Sequence, residues 1–190
     1  MPTSKKNVYT IVLHNTKKVL GAAEPSAENG CPVLLQDADN SVSQQWELIS
    51  SETGCKLAHK ASGRLLDVMQ AGTENGSRLQ LWEDVNGDSQ LWQTEETDAG
   101  CKLKSCKSGR CMDAGMEAAA GAPIQLWDDV NGENQLWDLV PVSVRKPAAP
   151  KADKPEAPQN SEPAAAPKSE KAPAKKAAGK TGTRRSRKTK

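Results

Sequence analysis

The motif Gln-x-Trp occurs three times in the 190-residue chain at nearly equal spacing. The copies are Gln44–Trp46, Gln90–Trp92 and Gln135–Trp137, so successive motif tryptophans are separated by 46 and 45 residues. The two other tryptophans, Trp82 and Trp127, each lie ten residues before a motif tryptophan. All five tryptophans of the chain therefore follow one internal period, and the chain has no Phe and one Tyr. Such a period predicts a domain built from three copies of one small structural unit.

The rest of the sequence up to about residue 141 aligns on the same period. A shift of 46 residues places the first unit on the second without a gap, so that Glu28-Asn29-Gly30 matches Glu74-Asn75-Gly76. The third unit aligns after one deletion, and Ser62-Gly63-Arg64 then matches Ser108-Gly109-Arg110. We predict one domain over residues 1–142, with repeats over about residues 7–50, 53–96 and 99–141.

Each unit has the pattern of short strands rather than of helices. Apolar and polar residues alternate in Leu79-Gln80-Leu81-Trp82 and Ile124-Gln125-Leu126-Trp127, as is typical of strands with one buried face. Four candidate strands per unit predict an all-β domain of about twelve short strands. Asn-Gly dipeptides favour hairpin turns in which both residues take positive φ. They occur at Asn29-Gly30, Asn75-Gly76, Asn86-Gly87 and Asn131-Gly132.

Three units of about 45 residues that end in Gln-x-Trp resemble the ricin B-type (R-type) lectins, whose fold is the β-trefoil. Two of the units also carry Leu-Leu-Asp or Cys-Met-Asp, followed by Gln-Leu-Trp. The resemblance covers the whole globular part of the chain and none of its C-terminal tail. It implies a carbohydrate-binding protein without catalytic activity, and this family most often prefers galactose or N-acetylgalactosamine.

A sugar offers neighbouring hydroxyl groups and an apolar C–H face, so its binding site needs fixed hydrogen-bonding groups and a flat aromatic wall. The resemblance implies that an Asp accepts hydrogen bonds from two hydroxyl groups and that the Trp ten residues before the motif Trp stacks on the ring. The amide directly before Gln-x-Trp completes the set. The predicted carbohydrate-binding residues are Asp67, Trp82, Asn86 and Gln90 in the second unit and Asp113, Trp127, Asn134 and Gln135 in the third.

The first unit lacks most of these groups. Gly21 stands at the position of the two Asp residues, Gln36 at that of the stacking Trp, and Ser43 at that of Asn134. The second unit has Ser89 in place of Asn134. We therefore predict a non-binding first unit, a second-unit site that lacks one hydrogen bond, and a complete third-unit site. The Gln and Trp that all three units retain are expected to serve the fold.

Several candidate residues also have a structural interpretation. Trp82 and Trp127 could belong to the core, although the Gln at the matching position of the first unit favours partial exposure. The two Asp residues could accept hydrogen bonds from nearby backbone N–H groups instead of from a sugar. Asn86 and Asn131 each precede Gly, which favours a role in turns, and Gln70 could reach the ligand of the second unit. The three motif tryptophans are expected in the core.

The sequence predicts no enzyme, no cofactor and no metal site. His14 and His59 fall at matching places near the first hairpin of their units, but neither lies in a catalytic or metal-binding motif. The adjacent carboxylates Asp128-Asp129 and Glu83-Asp84 point to opposite faces of a strand, so they do not form a glycosidase-like pair.

The five cysteines cannot all be paired within one chain. Cys55 and Cys101 hold the position of Tyr9 in the first unit, which predicts buried apolar side chains. Cys106 and Cys111 flank a turn and could pair across a hairpin if oxidised. Many secreted R-type relatives carry a disulfide in each repeat.

At the position where the resemblance implies a partner for Cys111 stands Asp128, which favours a reducing compartment. The N-terminal residues lack the apolar run of a signal peptide, and no stretch approaches the ~18–20 apolar residues of a membrane span. We therefore expect the protein in the cytoplasm, or exported by a route that the sequence does not indicate.

Residues 143–190 are rich in Pro, Ala and Lys and contain no aromatic residue, which predicts a disordered tail. The tail has 14 basic and 4 acidic residues, a charge of +10, whereas the preceding domain has a charge of −8. Such a tail favours either a polyanion partner such as nucleic acid or a solubilising spacer that folds back on its acidic domain. The densest basic cluster is Arg184, Arg185, Arg187, Lys188 and Lys190.

Two alternatives to a lectin follow from the residues. In the first, the domain binds a protein partner, and Trp82 and Trp127 are hydrophobic anchors. In the second, the tail carries the main interaction with a polyanion, and the three-unit domain is a scaffold.

Overall fold

The computed structural model describes residues 7–25 and 27–142, so the tail at 143–190 and its basic cluster lie outside the described residues. Within the described part, twelve strands are present, four in each unit, as the sequence predicts. No helix among these residues is long and apolar enough to cross a membrane. The strands are β1 (Val8–Leu13), β2 (Lys18–Ala22), β3 (Cys31–Asp37), β4 (Gln45–Ser51), β5 (Gly54–His59), β6 (Leu65–Val68), β7 (Leu79–Trp82), β8 (Trp92–Glu96), β9 (Cys101–Ser105), β10 (Cys111–Asp113), β11 (Gln125–Trp127) and β12 (Trp137–Pro141).

The first and fourth strands of the three units form a closed barrel. Antiparallel pairing runs from β1 to β4, β5, β8, β9 and β12, and β12 pairs again with β1. The second and third strands of each unit form the hairpins β2–β3, β6–β7 and β10–β11. Six barrel strands and three hairpins make a β-trefoil, which confirms the predicted fold. Because the barrel is closed, its strands have no free edge.

The three motif tryptophans lie in the core. Trp46, Trp92 and Trp137 have no exposed surface. Each indole Nε1–H also donates a hydrogen bond of 3.0 or 3.1 Å to a carbonyl oxygen of the second strand in the same unit. A buried indole needs such an acceptor, since an unpaired N–H in the core is costly. These residues therefore serve the fold in all three units, as predicted.

The glutamine of each motif holds the loop that precedes the fourth strand. Gln44, Gln90 and Gln135 are buried, and each Oε1 accepts a hydrogen bond from the backbone N–H five residues earlier, at 2.9 to 3.1 Å. Each Nε2 donates to the carbonyl oxygen seven residues earlier, at 2.7 to 2.9 Å. The same two bonds recur in every unit, so this glutamine has a structural role.

The Asn-Gly dipeptides do not form the predicted turns with two residues at positive φ. Asn86 and Asn131 have φ of 52° and 53°, whereas the glycines after them have φ of −88° and −78°. These two dipeptides lead from a hairpin strand into the 3-10 turns Asp88–Gln90 and Glu133–Gln135. In the other two dipeptides only the glycine takes positive φ. Asn86 and Asn131 therefore belong to the loops that lead into the motif glutamines, and they do not form two-residue hairpin turns.

The matched segments at Asn29 and Asn75 join neighbouring units. The Oδ1 atom of Asn75 accepts hydrogen bonds of 2.8 Å from Arg110 Nε and from the backbone N–H of Asp128. Asn75 Nδ2 also donates to Asp128 Oδ2 at 2.8 Å. In the same way, Asn29 Oδ1 binds Arg64 Nε and the backbone N–H of Glu83. Each asparagine therefore connects the hairpin loop of one unit to the hairpin of the next.

The junction between the third and the first unit has the same turn without the asparagine. Gly121 has φ of 85°, and its N–H donates to the carbonyl oxygen of Leu35 at 2.7 Å, as Gly76 N–H donates to that of Leu126 at 2.8 Å. Ala120 occupies the asparagine position. This junction therefore lacks the side-chain contact that the other two junctions have.

Replacing Ala120 with asparagine is expected to raise the free energy of unfolding by about 0.5–1.5 kcal/mol, the usual net contribution of a hydrogen bond. The new amide would face Lys18 and the backbone of Asp37, which stand where Arg64 and Glu83 stand in the second unit. Urea denaturation monitored by tryptophan fluorescence measures the change. Ala119→Asn, one position away in the same turn, is the matched control, and equal stability of the two variants would contradict the prediction.

The cysteines at the position of Tyr9 are buried, as predicted. Cys55 and Cys101 are buried at the starts of β5 and β9, and burial raises the pKa of each thiol to about 11. All five cysteines are free thiols. Cys106 faces the second unit, where its Sγ donates to the carbonyl oxygen of Thr53 at 3.6 Å, while Cys111 is buried in β10. No disulfide joins Cys106 and Cys111 in this structure, so the pairing suggested for oxidising conditions stays a prediction.

Candidate functional site

The third unit holds a buried carboxylate at the end of β10. Asp113 is 2% exposed, and its Oδ2 accepts hydrogen bonds from Asn134 Nδ2 at 2.8 Å and Gln135 Nε2 at 3.0 Å. Its Oδ1 accepts the backbone N–H of Gly115 at 2.7 Å and Gln125 Nε2 at 3.3 Å. Four donors thus fix the orientation of this carboxylate.

A tryptophan lies on the same side of the β10–β11 hairpin. Trp127 pairs with Cys111, two positions from the Asp113–Gln125 pair. Residues two positions apart on a strand share a face, so Trp127 and Asp113 lie on one face of the hairpin. Trp127 is 39% exposed, in contrast to the fully buried motif tryptophans. The predicted combination of a carboxylate, an amide and an accessible aromatic ring is therefore assembled in the third unit.

The amide of Asn134 is oriented by its neighbours in the 3-10 turn. A Cβ atom added to Gly132 would lie 2.4 Å from Asn134 Oδ1, so the glycine leaves the space that this amide occupies. Asn134 is half-buried, and its Nδ2 points to Asp113. The glycine therefore matters for the position of the amide rather than for backbone conformation, since its φ is −78°.

The second unit holds a smaller version of this arrangement. Asp67 is 6% exposed and accepts hydrogen bonds from Ser89 Oγ at 2.7 Å and Gln80 Nε2 at 2.8 Å. Trp82 is half-buried. Ser89 thus replaces Asn134 as the partner of the Asp, but it is buried and has no amide oxygen to offer to a ligand.

In the first unit a glutamine fills the corresponding space. A Cβ atom added to Gly21 would lie 2.1 Å from Gln36 Oε1. Gln36 Nε2 donates to the carbonyl oxygen of Ala22 at 2.8 Å, and its Oε1 accepts from Gln44 Nε2 at 3.2 Å. The side chain at the position of the stacking Trp therefore folds inward and occupies the place of the missing Asp.

Comparisons with known families agree with this geometry. The profile of the ricin-type β-trefoil lectin domain matches residues 53–148, and that of the ricin-type β-trefoil lectin domain-like family matches residues 1–82. The chain belongs to the ricin-type β-trefoil lectin domain family. The search of curated protein sequences found no match to this chain.

Solved structures share the fold of this ricin-type domain. The designed three-fold symmetric protein ThreeFoil is 28% identical, with a TM-score of 0.67 over 71% of this chain and 99% of its own. The exo-β-1,3-galactanase 1,3Gal43A of Clostridium thermocellum is 31% identical, with a TM-score of 0.68 over 75% of this chain and 31% of its own. The ricin B-like lectin of Macrolepiota procera, solved with lactose, is 18% identical, with a TM-score of 0.63 over 75% of this chain and 100% of its own. The chain spans about a third of the length of the galactanase.

Three residues predicted for the ligand sites of the ricin-type domain have their polar groups engaged with the protein. Gln90 and Gln135 have no exposed surface and bind the loop backbone. Asn86 is exposed, but its Oδ1 accepts a hydrogen bond from Lys56 Nζ at 2.9 Å. Gln70 is exposed at positive φ in the turn after β6. In this structure, Gln135 and Gln90 support the site rather than line it.

Lysines hold the loop between Trp127 and Asn134, a feature that the sequence reasoning missed. Lys102 Nζ donates hydrogen bonds to Asp129 Oδ1 at 2.7 Å, to Asp129 Oδ2 at 2.9 Å and to Asn131 Oδ1 at 2.6 Å. The hydrogen bond from Lys102 holds the pKa of the Asp129 carboxyl well below its usual range. In the second unit, Lys56 makes the same contacts with Asp84 and Asn86. The spacing of 46 residues between the two lysines is the sequence signal that could have indicated these contacts.

The two histidines of the ricin-type domain are not equivalent, contrary to the prediction. In the barrel register His59 lies opposite Trp46, and Leu13, not His14, holds the matching place opposite Trp137. His59 is fully buried, and its burial lowers its pKa. His14 lies one position later and binds Asp138 through Nδ1 at 3.0 Å. Since successive side chains point to opposite sides of the chain, a shift of one residue places the His14 side chain in a different environment from that of His59.

Proposed function

We propose that this domain binds galactose- or N-acetylgalactosamine-type glycans reversibly and without catalysis, mainly through the third unit. One observation carries the proposal. Asp113 is fixed by four donors on the same hairpin face as the accessible ring of Trp127, and Asn134 is its neighbour. This set combines an acceptor for sugar hydroxyls, an amide and an aromatic wall.

Each group has a distinct part in binding. The bond from Gln125 to Asp113 Oδ1 is the longest of the four, at 3.3 Å, so a sugar hydroxyl replaces that amide at the smallest cost. Asn134 Oδ1 accepts no hydrogen bond from another described residue, and it offers an acceptor to a second hydroxyl. Trp127 packs against the C–H face of the ring. Gln135 keeps Asp113 and the loop in position.

The second unit provides a weaker site for the same ligand. Asp67 and Trp82 correspond to Asp113 and Trp127, but Ser89 supplies no outward amide. A shallow site buries little surface and binds a monosaccharide weakly. Two such sites on one domain raise the avidity for a multivalent glycan.

The preference for galactose-type sugars rests on the family and on one relative, and a second relative suggests a probe. The C. thermocellum enzyme is named an exo-β-1,3-galactanase, and the M. procera lectin was solved with lactose. The two are 31% and 18% identical to this chain, so the second relative supports the fold and gives only a choice of probe.

Titration of the full chain with galactose, N-acetylgalactosamine, lactose and mannose, followed by tryptophan fluorescence and calorimetry, tests the function. The three motif tryptophans are fully buried, so a ligand-induced change reports mainly on Trp127 and Trp82. We expect saturable binding of the galactose-type sugars and little response to mannose. Absence of binding to all four sugars by the folded protein would overturn the proposal.

Replacing Gly132 with alanine is expected to weaken galactose binding by about fivefold, which corresponds to one hydrogen bond. The added methyl group would push Asn134 Oδ1 from its place, while the backbone conformation suits alanine. Gly87→Ala in the second unit is the matched control, because its new Cβ would meet Ser89 Oγ at an ordinary 3.6 Å. Calorimetric titration of both variants with galactose measures the difference. Equal affinities of the two variants would show that Asn134 does not contact the sugar.

The basic tail supports a second function, binding of a polyanion. Its charge of +10 favours salt-dependent contact with nucleic acid or an acidic polysaccharide. The cluster Arg184, Arg185, Arg187, Lys188 and Lys190 lies outside the described residues. Binding of heparin or DNA that falls steeply with salt and is lost on removal of residues 143–190 would support this role; binding that persists without the tail would contradict it.

A further inference from the structure

A cleft separates the third-unit site from the first unit. It has a volume of about 520 Å³, within the range of roughly 300–1,000 Å³ that is usual for ligand sites. We call it the junction cleft. One wall comes from the end of β1 and the turn after it, with His14 and Asn15, and the other from the third unit, with Met116, Val130, Glu133 and Asn134.

The junction cleft is continuous with the proposed sugar site through one side chain. Asn134 lines the cleft and also donates its Nδ2–H to Asp113 at 2.8 Å. A ligand that contacts Asn134 in the sugar site therefore lies at the entrance of the cleft.

The walls of the junction cleft have the mixed character that a saccharide needs. Met116 is 94% exposed and Val130 is 60% exposed, so two large apolar side chains face solvent there. Asn15 and Glu133 supply polar groups, and neither side chain makes a hydrogen bond within the described part of the chain. A pyranose ring presents both C–H surface and hydroxyl groups, so it suits these walls better than a purely apolar ligand does.

In the second unit a side chain spans the corresponding space. There Lys107 stands at the position of Asn15, and its Nζ donates to the carbonyl oxygen of Ala71 at 2.9 Å. This bond spans the space between the turn of the third unit and the loop after β6. The loop itself also differs, since Met69–Ala71 forms a 3-10 turn in the second unit. The Lys107 side chain, which Asn15 replaces beside the third unit, therefore distinguishes the two junctions.

We propose that the junction cleft binds the second residue of a glycan whose terminal galactose-type residue occupies the site of Asp113, Trp127 and Asn134. This inference rests on the proposed function. It makes the third unit a site for disaccharides or longer chains, while the second unit binds a single terminal residue. The specificity for the second residue then comes from the turn of the first unit, at His14 and Asn15.

Nuclear magnetic resonance of the full chain compares methyl β-galactoside with lactose, N-acetyllactosamine and galactosyl-β1,3-N-acetylgalactosamine. We expect all four ligands to shift the resonances of Trp127 and Asn134. Only the disaccharides are expected to shift the backbone amides of His14, Asn15 and Thr16. At least one disaccharide should bind about fivefold more tightly than the methyl glycoside.

The double variant Met116→Ala, Val130→Ala removes the apolar wall of the cleft and leaves the sugar site intact. It should lose the gain for the disaccharide and keep the affinity for methyl β-galactoside. Val85→Ala, at the position of Val130 in the second unit and 54% exposed in the parent, is the control and should change neither affinity.

The outcomes separate the two proposals. Binding of the methyl glycoside without shifts at residues 14–16 for any disaccharide would overturn the inference and leave the function intact. Failure of all four ligands to bind would overturn the function and the inference together. A disaccharide gain that survives in the double variant would also overturn the assignment to this cleft.

Discussion

Replacing Trp127 with alanine is expected to weaken the binding of galactose to the domain by about tenfold or more, with little loss of stability. Aromatic contacts of this kind contribute about 1 kcal/mol beyond simple burial, and the lost contact area adds to that. Trp127 is already 39% exposed, so its removal leaves no cavity in the core. Calorimetric titration gives the affinity, and urea denaturation gives the stability.

Trp82→Ala is the matched variant in the second unit. It should lower the number of bound sugars or the avidity for a multivalent glycan, while the tighter binding step stays close to that of the parent. The reverse ranking, with Trp82→Ala more harmful than Trp127→Ala, would make the second unit the main site. The first unit has Gln36 at the position of Trp82, which indicates that the fold does not require Trp at this position.

Replacing Trp92 with alanine is expected to lower the free energy of unfolding by about 3–5 kcal/mol, as large-to-small core substitutions do. The ring is fully buried, and its Nε1–H pairs with the carbonyl oxygen of Leu66 at 3.1 Å. The substitution leaves both a cavity and an unpaired carbonyl group. Guanidinium denaturation, followed by far-ultraviolet circular dichroism, measures the loss.

Trp92→Phe separates the two contributions of the ring. It keeps most of the buried volume and removes the indole N–H, so it should cost about 1–3 kcal/mol, the penalty of an unsatisfied buried group. A loss below about 1 kcal/mol for Trp92→Ala would contradict the structural role that the three units share.

The internal period was sufficient to predict the fold. Five tryptophans on one period gave the three units, and the alternation of apolar residues gave the twelve strands. The difference between Gly21 in the first unit and the Asp in the others predicts a unit without a binding site, and in the structure the side chain of Gln36 occupies the space beside Gly21. Residues that all three units share can thus be assigned to the fold, and residues that only some units have become candidates for ligand binding.

Contacts between units were beyond this reasoning. The bonds of Asn75 to Arg110 and Asp128 join residues 35 and 53 positions apart, which a period of 46 does not bring together. Within the third unit, the pairing of Lys102 with Asp129 joins a barrel strand to the loop after β11, and only the matching lysine 46 residues earlier, Lys56, could have indicated it. His14 was misplaced because a difference of one residue matters on a strand, although it is small in an alignment of units.

The residue types of the candidate site follow from the sequence, but the accessibility of their polar atoms does not. The sequence names Asp113, Gln135 and Asn134 in the third unit, yet it does not indicate which of their atoms are free. Only the hydrogen bonds show that Gln135 is engaged with the carbonyl oxygen of Asp128, while Asn134 keeps one oxygen available. Roles within the site therefore follow from geometry.

The barrel closes where β1 pairs with β12, and His14 and Asp138 meet there although they are 124 positions apart. A fold closed in this way cannot grow one unit at a time as a repeat array does, since its last contact joins its first and last strands. We expect slow, all-or-none folding, because contacts between distant parts of a chain form late. This seam also lacks an asparagine at position 120. A glycan that touches both sides of the junction cleft would hold the two ends of the domain together and delay unfolding.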